Sequence, residues 1–115
     1  MQIKLRTHSN PLNIVNTYAP QNARPICEKQ KYYKELEDTI EGNGTNSMDM
    51  ICSDMNARIH SRLNGEEPWI GEHVFGGGED YLESQNEEGL ENREQLIDFC
   101  MSNDYLVMNT FVSQR

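Results

Sequence analysis

Three polar residues stand at or just past the ends of apolar runs, where open sheets carry their chemistry. Tyr18 closes the run Leu12–Tyr18 and precedes Ala19-Pro20. Asp54 closes the run Met48–Asp54, and Asn56 follows two residues later. An aspartate can orient and partly deprotonate a water. An amide can donate to a phosphate oxygen while accepting elsewhere. A phenol can donate to negative charge as it develops. The set therefore suits phosphate-ester chemistry. Each residue also has a plainer reading: Asp-x-Asn after a strand commonly makes a turn, and a tyrosine before Ala-Pro is commonly a half-buried strand end.

The elements that must bring these residues together can be read from periodicity. Gln2–Arg6 alternates with Ile3 and Leu5 on one face, which predicts a strand. Leu12–Tyr18 is rich in β-branched residues, and Pro20 ends it as a second strand. From Glu28 to Glu41, Tyr32, Tyr33, Leu36 and Ile40 recur at helical spacing, and Gly42-Asn43-Gly44 closes the helix. Met48–Asp54 reads as a short strand of the buried type. A helix between the second and third strands makes a β-α-β crossover, which leaves the two strands parallel. Tyr18, Asp54 and Asn56 should then converge on one sheet edge although 36 residues separate the first two, and open α/β sheets place ligands at that edge. If the backbone stays extended, Asp54 and Asn56 share a side.

The second half is less regular. Residues 57–91 show little periodicity and hold many glycines, so a long surface loop is expected. Its acids Glu79, Asp80, Glu83, Glu87 and Glu88 read as a solvated acidic loop. Gly76-Gly77-Gly78 lacks the Lys-Ser/Thr of a phosphate-cradling loop. Asn92, with Gln95 three residues on, is expected to open a second helix in a capping-box-like pattern. Tyr105–Phe111 reads as a last strand. The order strand, strand, helix, strand, loop, helix, strand is an α/β pattern.

Charge is placed unevenly. Residues 1–62 carry eight Lys/Arg and seven Asp/Glu, whereas residues 63–115 carry two and twelve, for a net charge of −9. An acidic surface repels phosphates, so tight nucleic-acid binding by this chain alone is not expected. Cys27, Cys52 and Cys100 are too few and too irregular for a disulfide framework; Cys52 and Cys100 sit in apolar runs and read as buried free thiols. With His8, His60 and His73 they show no zinc-ligand spacing. The sequence shows no signal peptide and no apolar run of membrane-spanning length, so an intracellular protein, nuclear or cytoplasmic, is expected rather than a secreted one.

Asn16-Thr17-Tyr18-Ala19-Pro20 resembles the Tyr-Ala-Pro strand end of the endonuclease/exonuclease/phosphatase superfamily, and Ser53-Asp54-Met55-Asn56-Ala57 resembles its Gly-Asp-(Phe/Leu)-Asn-Ala motif. The segment from Asn92 to Cys100, followed by Asn109-Thr110-Phe111, is most similar to the endonuclease domain of non-LTR retrotransposons, a group that includes chains designated craniofacial development protein 2-like. The likeness runs over essentially the whole chain. It implies a four-layer α/β sandwich, of which this chain would be a partial copy. It implies that Asp54 helps activate the attacking water and bears indirectly on the metal, that Asn56 binds the scissile phosphate, and that Tyr18 contacts the phosphate or supports the transition state. It also implies Mg2+ (or Mn2+) as cofactor and DNA as partner.

Three residues depart from the family pattern: Ser53 for glycine, Met55 for a bulkier apolar residue, and Arg93 for the glycine that commonly follows the asparagine. The family's metal-binding Glu and its Asp-His pair have no counterpart in 1–115. The chain is therefore expected to be a central fragment of one domain, both ends missing, and inactive as a nuclease. The alternative expectation is a non-catalytic interaction module that uses the acidic 79–94 region to hold a basic partner.

Overall fold

The computed structural model describes residues 2–5, 9–44, 46–59, 61–74 and 87–113. They fall into two compact units, Met1–Asn56 and Ala57–Arg115.

In the first unit, strands β1 (Gln2–Leu5), β2 (Leu12–Tyr18) and β3 (Met48–Asp54) form one sheet in the order β1-β2-β3. β1 runs antiparallel to β2, with Ile3 opposite Ile14 and Leu5 opposite Leu12. Helix α1 (Ile26–Glu41) returns the chain so that β3 lies parallel to β2. The crossover expected from the sequence is therefore present. α1 begins two residues before the expected Glu28, with Pro25 at its cap, whose carbonyl accepts the N–H groups of Glu28 and Lys29 at 3.0 and 3.4 Å. Its buried residues Lys29, Tyr33 and Leu36 recur at the spacing of one helical stripe.

Burial alternates along β2: Asn13 and Val15 are buried, while Asn16 and Tyr18 are exposed. The Tyr32 hydroxyl lies 3.5 Å from Ser53 Oγ and donates to Met55 Sδ at 3.9 Å, so α1 covers the face that carries Ser53 and its register partner Thr17. Ser53 and Met55 thus meet the same tyrosine. On this helix-covered face Asn13, 2% exposed, donates to Asp49 Oδ1 at 2.9 Å, and Asn43 donates to the same oxygen at 3.0 Å. The opposite face leaves Ile3, Leu5, Met48 and Met50 exposed.

In the second unit, helix α2 (Glu87–Asn103) buries Gly89, Arg93, Leu96, Ile97 and Cys100 along one side. It ends in a left-handed Asp104 (φ 57), with the Tyr105 N–H bonded back to the Cys100 carbonyl at 3.0 Å. Residues 69–73 run beside 107–110: Val107 N–H donates to Trp69 O, Gly71 N–H to Thr110 Oγ1, and His73 N–H to Thr110 O. The Glu66 carboxylate takes both prongs of the Arg93 guanidinium, and Arg93 Nη2 also donates to Ser61 O at 2.9 Å.

Several expectations change. The described residues form a small mixed α/β arrangement with a three-stranded sheet and two helices, not a four-layer sandwich. Tyr105–Phe111 is not a strand: only Val107 bridges, to Ile70, and Met108–Thr110 forms a 3-10 turn. Among the described residues that segment is bridged at a single point, and a ladder needs a run of paired backbone groups. α2 starts at Glu87 rather than Asn92, which is buried mid-helix and is no cap. Among the described residues β3 lies at the edge of the sheet and its exposure alternates, so it is not the buried strand expected and Cys52 is exposed; of Cys52 and Cys100, only Cys100 is buried as expected. Arg6, His8, His60, the triple glycine, Glu79, Asp80 and Glu83 lie outside the described residues.

Candidate functional site at the strand ends

The candidate site is the rim where β2 and β3 end together. Parallel pairing sets Tyr18 directly opposite Asp54, so two residues 36 apart in the chain stand on adjacent strands, whose spacing is about 4.8 Å. Register partners share a sheet face, and here it is the face away from α1. Tyr18 is 65% exposed, and the Asp54 side is open as well.

The last rung of the ladder lies just past the strands, where Ala19 N–H donates to Asp54 O at 3.1 Å. Asn56 does not continue the extended backbone: its φ is 48, in the left-handed region. The expected sharing of one side by Asp54 and Asn56 therefore does not arise by alternation. Instead Asn56 N–H bonds back to Asp54 Oδ1 at 3.0 Å, and Asn56 Nδ2 donates to Ala19 O at 2.7 Å. All three expected residues thus come to one rim, with Asn56 drawn in by hydrogen bonds. Ala19, fully buried between these bonds, was not singled out from the sequence; Ala-Pro after a strand tyrosine was the available signal.

Lys29 was missed too. It is 1% exposed and its ammonium donates to Asn22 O at 2.8 Å, which ties down the loop after Tyr18. Its place on the Tyr33–Leu36 stripe was the clue. An open groove of about 330 Å3 lined by Val15, Thr17, Tyr32 and Leu36 flanks β2 on the helix side. Tyr18 and Asp54 project from the other face, so the groove is not the rim site.

Among the described residues no group of three or more His, Cys, Asp or Glu converges as a metal site would require. Asp54 offers one carboxylate at the rim. Magnesium sites built on one or two carboxylates complete their shell with water and substrate phosphate, so the rim meets only the low end of that need. No described helix is long and apolar enough to cross a membrane.

Comparison with known proteins gives one informative likeness. The chain is similar to craniofacial development protein 2 of Tragulus javanicus. The two are 30% identical over 114 residues, which cover 97% of this chain and 18% of that protein. The chain therefore spans less than a fifth of the length of the relative it matches. No family model matches it. No solved structure matches it either.

Proposed function

We propose that the rim belongs to a metal-dependent phosphodiesterase site of the endonuclease/exonuclease/phosphatase type, with DNA as substrate, in a domain of retroelement origin. The observation that carries this reading is the register pairing of Tyr18 with Asp54. The order and spacing of the two motifs, and the similarity to craniofacial development protein 2, support it. In this reading Asp54 orients the attacking water and draws off its proton. Tyr18 donates its hydroxyl proton to a phosphate oxygen as charge builds there. A divalent cation, Mg2+ or Mn2+, supplies charge neutralisation when bound.

Binding is the direct test. Dimethyl phosphate titrated with MgCl2 into the labelled chain is expected to shift the amide resonances of Tyr18, Ala19, Asp54 and Asn56, and Asp54→Ala is expected to abolish the response. Shifts elsewhere, or an unchanged response in Asp54→Ala, would overturn the reading. Supercoiled plasmid is expected to stay intact with the chain alone, because the described residues of the first unit bring one carboxylate and no imidazole to the rim.

The charge asymmetry favours a second reading, an interaction module for a basic partner. Glu87 and Glu88 are exposed in the first turn of α2, and the nearby Arg93 is buried against Glu66, so it does not offset them at the surface. Binding of polylysine that persists in Asp54→Ala and is lost when the acids of 79–88 are neutralised would select it.

A further inference from the structure

We infer that Asn56 is a positioning residue: its side-chain amide clasps β2 to β3 and holds Tyr18 beside Asp54. The inference rests on the site reading above for its functional meaning, but the clasp itself stands on geometry.

Ala19 is bonded to the 54–56 segment through both of its backbone groups. Its N–H reaches Asp54 O at 3.1 Å, and its carbonyl receives Asn56 Nδ2 at 2.7 Å. The partner is a carbonyl oxygen, which only accepts, so the amide of Asn56 must turn its nitrogen inward. That bond satisfies the carbonyl of a fully buried residue, so its loss is costly and the amide is held in place. At the same time the Asn56 N–H takes Asp54 Oδ1 at 3.0 Å, which fixes the carboxylate's rotation and leaves Oδ2 for other partners.

The backbone supports the same role. Asn56 is left-handed at φ 48, a conformation that asparagine tolerates better than most residues. In that conformation its side chain reaches back across the strand ends. Tyr18, next to Ala19, is 65% exposed. Little packing restrains its ring, so its position depends on the backbone that the clasp holds.

The test uses the full 115-residue chain, labelled for NMR, with Asn56→Gly and Asn56→Asp. Glycine keeps the left-handed turn and deletes only the side chain; aspartate keeps the size and removes the donor. Both are expected to speed exchange of the Ala19 amide about tenfold and to lower the order parameter of Tyr18, with the Ile14 and Val15 amides unchanged. A uniform loss of protection along β2 would mean a general structural role and would overturn the inference. Unchanged Ala19 exchange together with weakened dimethyl phosphate binding would overturn it in favour of a phosphate-contacting Asn56. If the unsubstituted chain ignores dimethyl phosphate, the site reading fails, while the Ala19 and Tyr18 measurements still decide the clasp.

Discussion

Glu66 and Arg93, 27 residues apart in the chain, form a two-pronged ion pair with Nη1–Oε1 at 2.9 Å and Nη2–Oε2 at 2.6 Å. Their side chains are 11% and 5% exposed, and Glu66 Oε2 also accepts the Leu63 N–H at 2.9 Å. This pair is what receives the Arg93 side chain within the fold. Removing one partner strands a buried charge, at a cost of about 3–5 kcal/mol. Glu66→Ala and Arg93→Ala should each lower the urea midpoint sharply. The joint replacement Glu66→Leu with Arg93→Met should lose much less than the sum. Additive losses in that cycle would refute the coupling.

The same pair sets an acid limit. Burial pushes the Glu66 carboxyl upward, but the hydrogen bonds from Arg93 and Leu63 and the charge of Arg93 outweigh it and hold the group below its ordinary 4.5. A carboxyl lowered by folding adds stability that is complete above 4.5 and is lost as pH falls from there through the folded value. Unfolding free energy measured against pH should drop in that window, and Glu66→Gln should flatten the drop. A variant curve parallel to the parent's would contradict this.

Gly71 is needed for a close approach. A Cβ at that position would sit 2.2 Å from the Thr110 carbonyl oxygen and 2.8 Å from Phe111 Cα. Both are main-chain atoms, so no side-chain rotation relieves the overlap. Gly71→Ala should cost roughly 1–3 kcal/mol by forcing the two segments apart. Adding Thr110→Ala should not rescue it. Parent-like stability in the single variant would count against the packing described.

The three thiols should separate by reactivity. Cys27 and Cys52 are exposed, while Cys100 is buried and burial pushes it up to about 11. A disulfide reagent at mildly alkaline pH should label two sites in the native chain and the third only in denaturant. Rapid native labelling of Cys100 would show that the inner side of α2 opens readily.

Much of the rim was legible in the sequence. The β-branched content of Leu12–Tyr18, the helical spacing of Tyr33 and Leu36, and the run Met48–Asp54 specify strand, helix, strand, and that order leads to parallel pairing. The meeting of Tyr18 with Asp54 follows from those local patterns because a crossover fixes direction. The second half was read less well. The capping-box-like pattern of Asn92 and Gln95 reads as a helix start, and it hid the first turn of α2, which begins at Glu87. Leu106-Val107-Met108 has the apolar content of a strand, but the only bridge described there joins Val107 to Ile70.

By itself, then, the sequence determined which residues gather at the strand ends, since repeat period and chain direction are local properties. Tertiary structure alone decided that Asn56 turns left-handed to bond Ala19, that Arg93 is buried against Glu66, and that Cys52 on β3 is exposed. Each of these depends on a partner distant in the chain or on which strands lie beside it. Whether a polar group points inward is set by whether such a partner offsets its loss of water, and no local pattern carries that information.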